Sequence, residues 1–495
     1  MNIWTKPKAP QSKRPQNRTK LSHIGALWIA FGLFVSACTT ANIAPASTEP
    51  LLQTTSGALQ GVRSDNVIIF KGIPYAKPPI GDGRWSPPQP TAWSGVKSAT
   101  DFSAACLQNV NEDGTPNYGG YAGPVSEDCL YLNIWAPVDA ENAPVMVWLY
   151  GGGGVVGAAS IPTYDGTAFA RDGVILVSLN YRHGSLAGFA HPALSASFDD
   201  AGVRSNFQLQ DTAAALQWVQ DNISALGGDT NNVTLFGESA GATMTANLVT
   251  SPIAEGLFSK AIFESTGSLA TPGTSLQAAE KLGSEIATAF GFDGPNATLA
   301  ELKSIDGSAL IASRKLGFGL RTVIDGTVKK QSILESFQSG TQNDVLLMLG
   351  TNSDEGRLSG TRRIADLAEK TNPVFHYFFD YVPNALRSEN PNGAPHAGEL
   401  PFVFDTLANY PGTKGQITAE DQHMADLTHQ CWVAFAKADR DATVLNCGRL
   451  EWPARVSGNG KPVAILKPQP ALANADALKS PPNGAAPGRT SRDDN

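Results

Sequence analysis

A serine becomes a nucleophile when its hydroxyl is held clear of its neighbours and a base stands ready to take its proton. The stretch FGESAGATMT, residues 236 to 245, offers the first condition. Ser239 stands between Gly237 and Gly241, a G-x-S-x-G pattern whose small residues permit a strand-to-helix turn tight enough to push the hydroxyl outward. Those five residues alone also fit an ordinary glycine-rich turn. Their context favours the nucleophile, because the apolar run VTLF precedes them and the helix-compatible ATMTANLV follows.

The base has to be a histidine, and the chain has seven. His23 lies in a basic leader, while His183 and His191 precede the serine in NYRHGSLAGFAHP. In a strand–serine–helix architecture the chain order runs serine, acid, histidine, which leaves His376, His396, His423 and His429. His376 falls in the strand-like VFHYFF and the last two fall on a helical pattern. His396, in GAPHAGEL, sits on a glycine and proline loop that can carry an imidazole to a serine, so it is the expected base. The acid is expected just beyond a strand, where DVLLMLGTNSDEG offers Asp354 and Glu355 without separating them. The run WLYGGGGVVG places four glycines after a strand ending at Tyr150, where backbone N–H groups can approach a ligand closely. Neither a P-loop lysine nor the G-x-G-x-x-G spacing with its acidic partner accompanies them, so an oxyanion hole is the better reading than a phosphate cradle.

These residues need a scaffold. Near-continuous apolar runs, VIIF at 67–70, APVMVWLY at 143–150, GVILVSLNY at 173–181, VTLFGES at 233–239 and DVLLMLGT at 344–351, suit strands buried on both faces. Between them lie helical patterns such as LQDTAAALQWVQDNISAL at 209–226, with Gly227 and Gly228 as a stop. The alternation predicts an α/β fold: a central, mainly parallel sheet with helices on both faces, spanning 51–479 as one domain. Residues 38–50 read as a flexible tether, and 480–495, SPPNGAAPGRTSRDDN, lack the apolar content to pack and are expected to be disordered.

The first 37 residues form a different kind of segment. Six basic residues, from Lys6 to Lys20, precede the uncharged run from Ile24 to Ala37, and no acid occurs before Glu49. That run is too short to span a bilayer comfortably and has the form of an export signal over 1–37. Its end, VSAC, resembles a bacterial lipobox and marks Cys38 for lipidation, which would anchor the exported protein in the cell envelope through its N-terminus alone. Plain secretion and an uncleaved anchor helix are the alternatives.

Setting Cys38 aside leaves four of the five cysteines to pair in an oxidising compartment, and the most local pairing joins Cys106 to Cys129 and Cys431 to Cys447. Removing the leader's six basic residues leaves 31 of the 37 Lys+Arg against 45 Asp+Glu, an acidic balance that argues against a nucleic-acid partner.

Together with FKGIPYAKPPIGDGRW (70–85), SEDCLYLNIW (126–135), LGGDTNNVTLFGESAGA (226–242) and GAPHAGELPFVF (393–404), the chain resembles the type-B carboxylesterases, relatives of the cholinesterases, from about Gly57 to Trp452. The resemblance implies an α/β-hydrolase fold and cleavage of small-molecule carboxylic esters through an acyl-enzyme, with no metal or organic cofactor. It implies Ser239 as nucleophile, His396 as base, and Glu355, rather than Asp354, as the acid. Oxyanion donors would come from Gly152, Gly153 and Ala240, and a Cys106–Cys129 disulfide would close a loop beside the site. Glu238 and Ser265 also match family positions, where they either support the triad or simply satisfy polar groups in the core.

The chain departs from the family's pattern in two places. Glu355 and His396 lie 41 positions apart, several dozen fewer than is usual, so a reduced cap and a more open site are expected. The loop from Cys106 to Cys129 holds Tyr118 and Tyr121 but no tryptophan, so a quaternary-ammonium site is not expected. The same triad could instead serve a bulky natural-product ester, a polyester, an amide or a thioester. A non-catalytic adhesion protein of this fold is a further alternative, against which the intact trio of Ser239, Glu355 and His396 argues. The sequence carries no expectation about oligomeric state.

Overall fold

The computed structural model describes residues 49–198, 205–266, 269, 272–313, 322–413 and 415–478. The leader, Cys38, nearly all of the tether and the tail from 480 lie outside the described residues.

Eleven strands form the main sheet: β1 (Val62–Ser64), β2 (Val67–Pro74), β3 (Tyr131–Pro137), β4 (Ala143–Leu149), β5 (Ile175–Leu179), β6 (Gly228–Glu238), β7 (Lys260–Glu264), β8 (Leu346–Asn352), β9 (Val374–Phe379), β10 (Pro462–Leu466) and β11 (Ala471–Asn474). Their spatial order is β11-β10-β9-β8-β7-β6-β4-β5-β3-β2-β1. From β5 through β4 and on to β10 neighbours run parallel, and the flanking strands run antiparallel. Every residue of β4, β5, β7 and β8 is buried. Successive side chains of a strand point to opposite faces, so both faces of this part of the sheet are covered.

The covering helices follow from their sequences. Helix α1 (Phe207–Asn222) continues into a 3-10 turn over Ile223–Leu226 and stops at Gly227. Gly227 has φ +76°, and a Cβ there would run into the carbonyl of Ala140, so the stop requires glycine. Four more helices are α2 (Ala240–Val249), α3 (Leu276–Ala289), α4 (Leu358–Ala368) and α5 (Ala419–Lys437), of which α2 contributes directly to the site. Beneath the site, the core gathers aromatic rings around Trp148, whose centroid lies 4.8 Å from Phe236 and 4.9 Å from Phe404.

Both local disulfides form. Cys106–Cys129 closes a loop beside β3, and Cys431–Cys447 ties α5 to the strand Val444–Cys447. Between Glu355 and His396 the chain builds α4, β9 and a 3-10 turn at Asn384–Leu386, so this segment is spent mainly on the sheet layer and not on cap helices. Among the described residues no helix is long and apolar enough to cross a membrane.

Candidate active site

Strand β6 ends at Glu238 and α2 begins at Ala240, leaving Ser239 alone in the turn with φ +55° and ψ −115°. That conformation is strained for a residue with a Cβ and persists only where the surroundings enforce it. Here the Ser239 N–H donates to the carbonyl of Glu264 on neighbouring β7 at 2.9 Å. The flanking glycines are required by space: a Cβ on Gly237 would lie 2.6 Å from the carbonyl oxygen of Leu149, and one on Gly241 would overlap that same oxygen. The far end of α2 is held by Lys329, which is buried and whose Nζ donates to the carbonyls of Thr250 at 2.9 Å and Asn247 at 3.2 Å, complementing the helix's negative end.

Among the histidines, the loop residue reaches the serine. His396 Nε2 lies 2.8 Å from Ser239 Oγ, and its Nδ1 lies 3.2 Å from Glu355 Oε1. The Glu355 side chain is 1% exposed and that of His396 34% exposed, so the acid is buried while the base faces an open site. Asp354 is set apart: its backbone N–H bonds Ala394, and the carboxylate that meets the imidazole belongs to Glu355. The remaining candidates are occupied elsewhere. His376 is buried in β9, accepts from Arg455, and is held neutral by burial, which lowers its pKa to about 3. His423 meets the carbonyl of Pro468, and His429 that of Val403.

The four-glycine loop follows β4 directly. Gly152, Gly153 and Gly154 all have positive φ, and a Cβ on Gly152 would collide with the carbonyl of Val156. Among the described residues no hydrogen bond uses the N–H of Gly152 or Gly153, and Ala240, as the first residue of α2, has no intrahelical acceptor for its own. The disulfide loop steadies this segment: Gln108, two residues after Cys106, donates to the Gly157 carbonyl at 2.7 Å and accepts from the Gly157 N–H at 2.8 Å.

Behind the trio lies a buried carboxyl cluster. Ser265 Oγ donates to Glu355 Oε1 at 2.7 Å, and Thr351 Oγ1 donates to Glu355 Oε2 at 3.2 Å. Glu399 accepts from Asn352 at 2.5 Å and from Ser265 at 3.4 Å, and Glu264 accepts from Trp432 at 2.7 Å. Burial, reinforced by mutual repulsion, raises the pKa values of Glu238, Glu264 and Glu399 and biases them towards the protonated form. Glu238 Oε1 lies 3.1 Å from His396 Nε2, yet its direction makes no hydrogen bond, which leaves that nitrogen to Ser239. Of this cluster, Glu238 and Ser265 were legible in the sequence. Glu264 and Glu399 were not, although Glu399 sits three residues beyond His396 in the motif that identified the base, and neither was Arg357, whose Nε lies 3.4 Å from Glu355 Oε2.

A cleft of about 370 Å³ opens on Ser239 and Ala240. Its walls come from the glycine loop (Gly153, Gly154), α2 (Thr243, Met244), the segments at Gly273 and Thr322, and Arg357. A volume of that size suits a small organic molecule. Among the described residues no group of three His, Cys, Asp or Glu side chains could hold a metal ion.

Comparison with known proteins gives a consistent result. The model of the Carboxylesterase family matches residues 48–362 and 358–479. The chain is 34% identical over 483 residues to a fumonisin B1 esterase from Sphingopyxis macrogoltabida, covering 83% of this chain and 86% of that one. It is 34% identical over 480 residues to a para-nitrobenzyl esterase from Bacillus subtilis, covering 82% and 93%. Among solved structures, a PNB esterase superimposes with a TM-score of 0.75 at 31% identity over 87% of this chain and 98% of that one. A Geobacillus stearothermophilus carboxylesterase does so with a TM-score of 0.73 at 30% identity, over 86% and 97%.

Proposed function

Because the chain belongs to the Carboxylesterase family and is a carboxylic ester hydrolase of the type-B, α/β-hydrolase kind, we propose that it works through an acyl-enzyme formed on Ser239. His396 Nε2 takes the hydroxyl proton as Oγ attacks the ester carbonyl. Glu355 holds the imidazole through Nδ1 and stabilises the positive charge it gains. The carbonyl oxygen becomes an oxyanion that accepts from the N–H groups of Gly152, Gly153 and Ala240, donors already in place before charge develops. Collapse of the tetrahedral species breaks the bond to the alkoxy oxygen, which leaves as the alcohol with the proton from His396. Water, deprotonated by the same imidazole, then releases the acid. The observation that carries this reading is the 2.8 Å approach of His396 Nε2 to Ser239 Oγ, with Glu355 on the opposite ring nitrogen.

The test is turnover of a chromogenic short-chain ester by the wild type and by Ser239→Ala. Turnover that survives the substitution removes Ser239 from the mechanism, and no turnover by the wild type favours a non-catalytic binding protein. Family membership leaves the acyl and alcohol groups open, since the relatives are named for compounds as different as fumonisin B1 and para-nitrobenzyl esters.

Export and lipidation at Cys38 belong to the same proposal. The basic leader, the short apolar run and VSAC support it, as does the pairing of the four remaining cysteines in two disulfides, which suits an oxidising compartment. The Cys38→Ser variant is expected to leave the membrane fraction; unchanged membrane attachment sinks the lipid anchor.

A further inference from the structure

We propose that the natural substrate is an ester bearing a carboxylate near the scissile bond, and that Arg357 receives that carboxylate; this rests on Ser239 being the nucleophile that opens into the same cleft. The chain as a whole is acidic, with a formal net charge of −8, yet among the described residues the charged side chains lining the cleft are two arginines, Arg182 and Arg357, and no acid lines it.

The two arginines are not equivalent. Arg182 is buried and matched by Asp211, which accepts from Nε at 2.9 Å and from Nη2 at 2.7 Å, so its charge is compensated where it stands. Arg357 is held at two of its three nitrogens. Its Nη1 donates to the Ser265 carbonyl at 2.7 Å, its Nε faces Glu355 Oε2 at 3.4 Å, and among the described residues its Nη2 has no partner. Its side chain is 30% exposed. A guanidinium fixed at Nε and Nη1 with Nη2 open is preorganised to donate to a carboxylate, because little side-chain freedom remains to be lost on binding.

The rest of the wall leaves that role to Arg357. Thr243, Asn247 and Ser332 donate within the protein, to the Ser239 carbonyl, to Thr243 and Thr322, and to Glu335, so the polar wall is itself fixed and Nη2 of Arg357 is the charged donor it leaves to a ligand. A purely apolar ester would cover Nη2 of Arg357 without supplying an acceptor for it, which is unfavourable for a charged group. Glu355, at 3.4 Å from Nε, shares its charge with the imidazole of His396 as well as with Arg357, and Nη2 is left facing the cleft without a carboxylate of its own among the described residues.

Two ester pairs test this in the full chain. 4-Nitrophenyl hydrogen glutarate against 4-nitrophenyl valerate places the carboxylate on the acyl side, and 3-carboxyphenyl butyrate against phenyl butyrate places it on the alcohol side. The wild type is expected to favour the charged member of at least one pair in kcat/KM, and the preference should weaken as salt is raised. Arg357→Gln should lower kcat/KM for that charged ester about ten- to a hundredfold, chiefly through KM, and that for its neutral partner far less, while Arg357→Lys should retain part of the preference. A role for Arg357 confined to positioning Glu355 would lower both members alike, and that result overturns the inference. A wild type that favours the neutral ester in both pairs overturns it as well, while leaving ester hydrolysis intact. Failure to turn over either member of either pair would strike the ester-hydrolase reading itself.

Discussion

Ser265 donates its hydroxyl proton to Glu355 across 2.7 Å, on the same carboxylate oxygen that faces His396 Nδ1 at 3.2 Å. Two donors thus converge on one oxygen of a buried acid, and the one that never meets the substrate fixes where the other must sit. Ser265→Ala removes a hydrogen bond to a charged group and frees the carboxylate to rotate. The expected result is a fall in kcat of about tenfold with KM almost unchanged. An equal rise in KM would show instead that the residue shapes the binding cleft.

Ser239, His396 and Glu355 are expected to act as one unit. Ser239→Ala and His396→Ala should each lower kcat by about four orders of magnitude or more, and the double variant should cost scarcely more than either alone. Glu355→Gln keeps the volume but loses the charge that favours the protonated imidazole, so it should also lose about four orders of magnitude. Steady-state kinetics on a short-chain ester, with circular dichroism to verify folding, provide the check. Additive losses in the double variant would refute the unit.

Much of this was legible because apolar runs declare buried parallel strands, and β4, with all seven residues buried, falls within the run at 143–150. Strand β7 is hidden in the sequence for the opposite reason. It begins at Lys260 and ends at Glu264, polar residues that normally mark a surface, yet both are buried. Lys260 donates to the carbonyls of Ala436 and Ala438 at the end of α5, and Glu264 accepts from Trp432 on the same helix. Those partners lie about 170 positions away, beyond the reach of any local pattern. The antiparallel edge strands β1 and β11 are too short to show periodicity. Asp354 and Glu355, adjacent in sequence, were separable only once the loop's path placed one carboxylate against the imidazole.

The tight packing of the nucleophile turn makes its glycines a stability prediction. Gly241→Ala forces a methyl into the carbonyl of Leu149 at the end of β4, where backbone, not a flexible side chain, must give way. A loss of about 3 kcal/mol or more is expected. Gly256→Ala is the control: that glycine has open space around it but a φ of +77°, so it should lose only the smaller cost of a left-handed alanine. Chemical denaturation of both variants compares them directly.

The two disulfides are expected to separate stability from activity. Each closes a loop of similar length, with sequence separations of 23 and 16, and removing either should cost a few kcal/mol by freeing the unfolded chain. Only Cys106–Cys129 is coupled through Gln108 to Gly157 of the glycine loop. The Cys106→Ser/Cys129→Ser pair should therefore lower kcat several-fold at temperatures where the protein remains folded, whereas Cys431→Ser/Cys447→Ser should lower stability with kcat retained. Equal effects on kcat would dissolve the link between the loop and the oxyanion donors.

Lys329 ties stability to pH. Burial is the main cause that lowers its pKa from 10.5 to about 7, while Asp325 partly opposes the shift. Between about pH 7 and the unfolded value the unfolded chain binds the extra proton, so unfolding takes up protons and stability rises with pH across that window. Below pH 7 the ammonium is charged in both states and the burial penalty is fully felt. Glu399, whose carboxyl is raised by burial, contributes with the opposite sign, so the wild-type melting curve alone mixes the two. The difference between wild type and Lys329→Met isolates the lysine. The variant loses the bonds to Thr250 and Asn247, which sets a constant offset, but it no longer titrates there. Wild-type Tm minus variant Tm should increase from pH 7 to pH 10 and flatten below pH 7. A difference that stays level across that range would mean that Lys329 remains fully charged in the folded protein, held by the carbonyls at the end of α2 strongly enough to offset its burial.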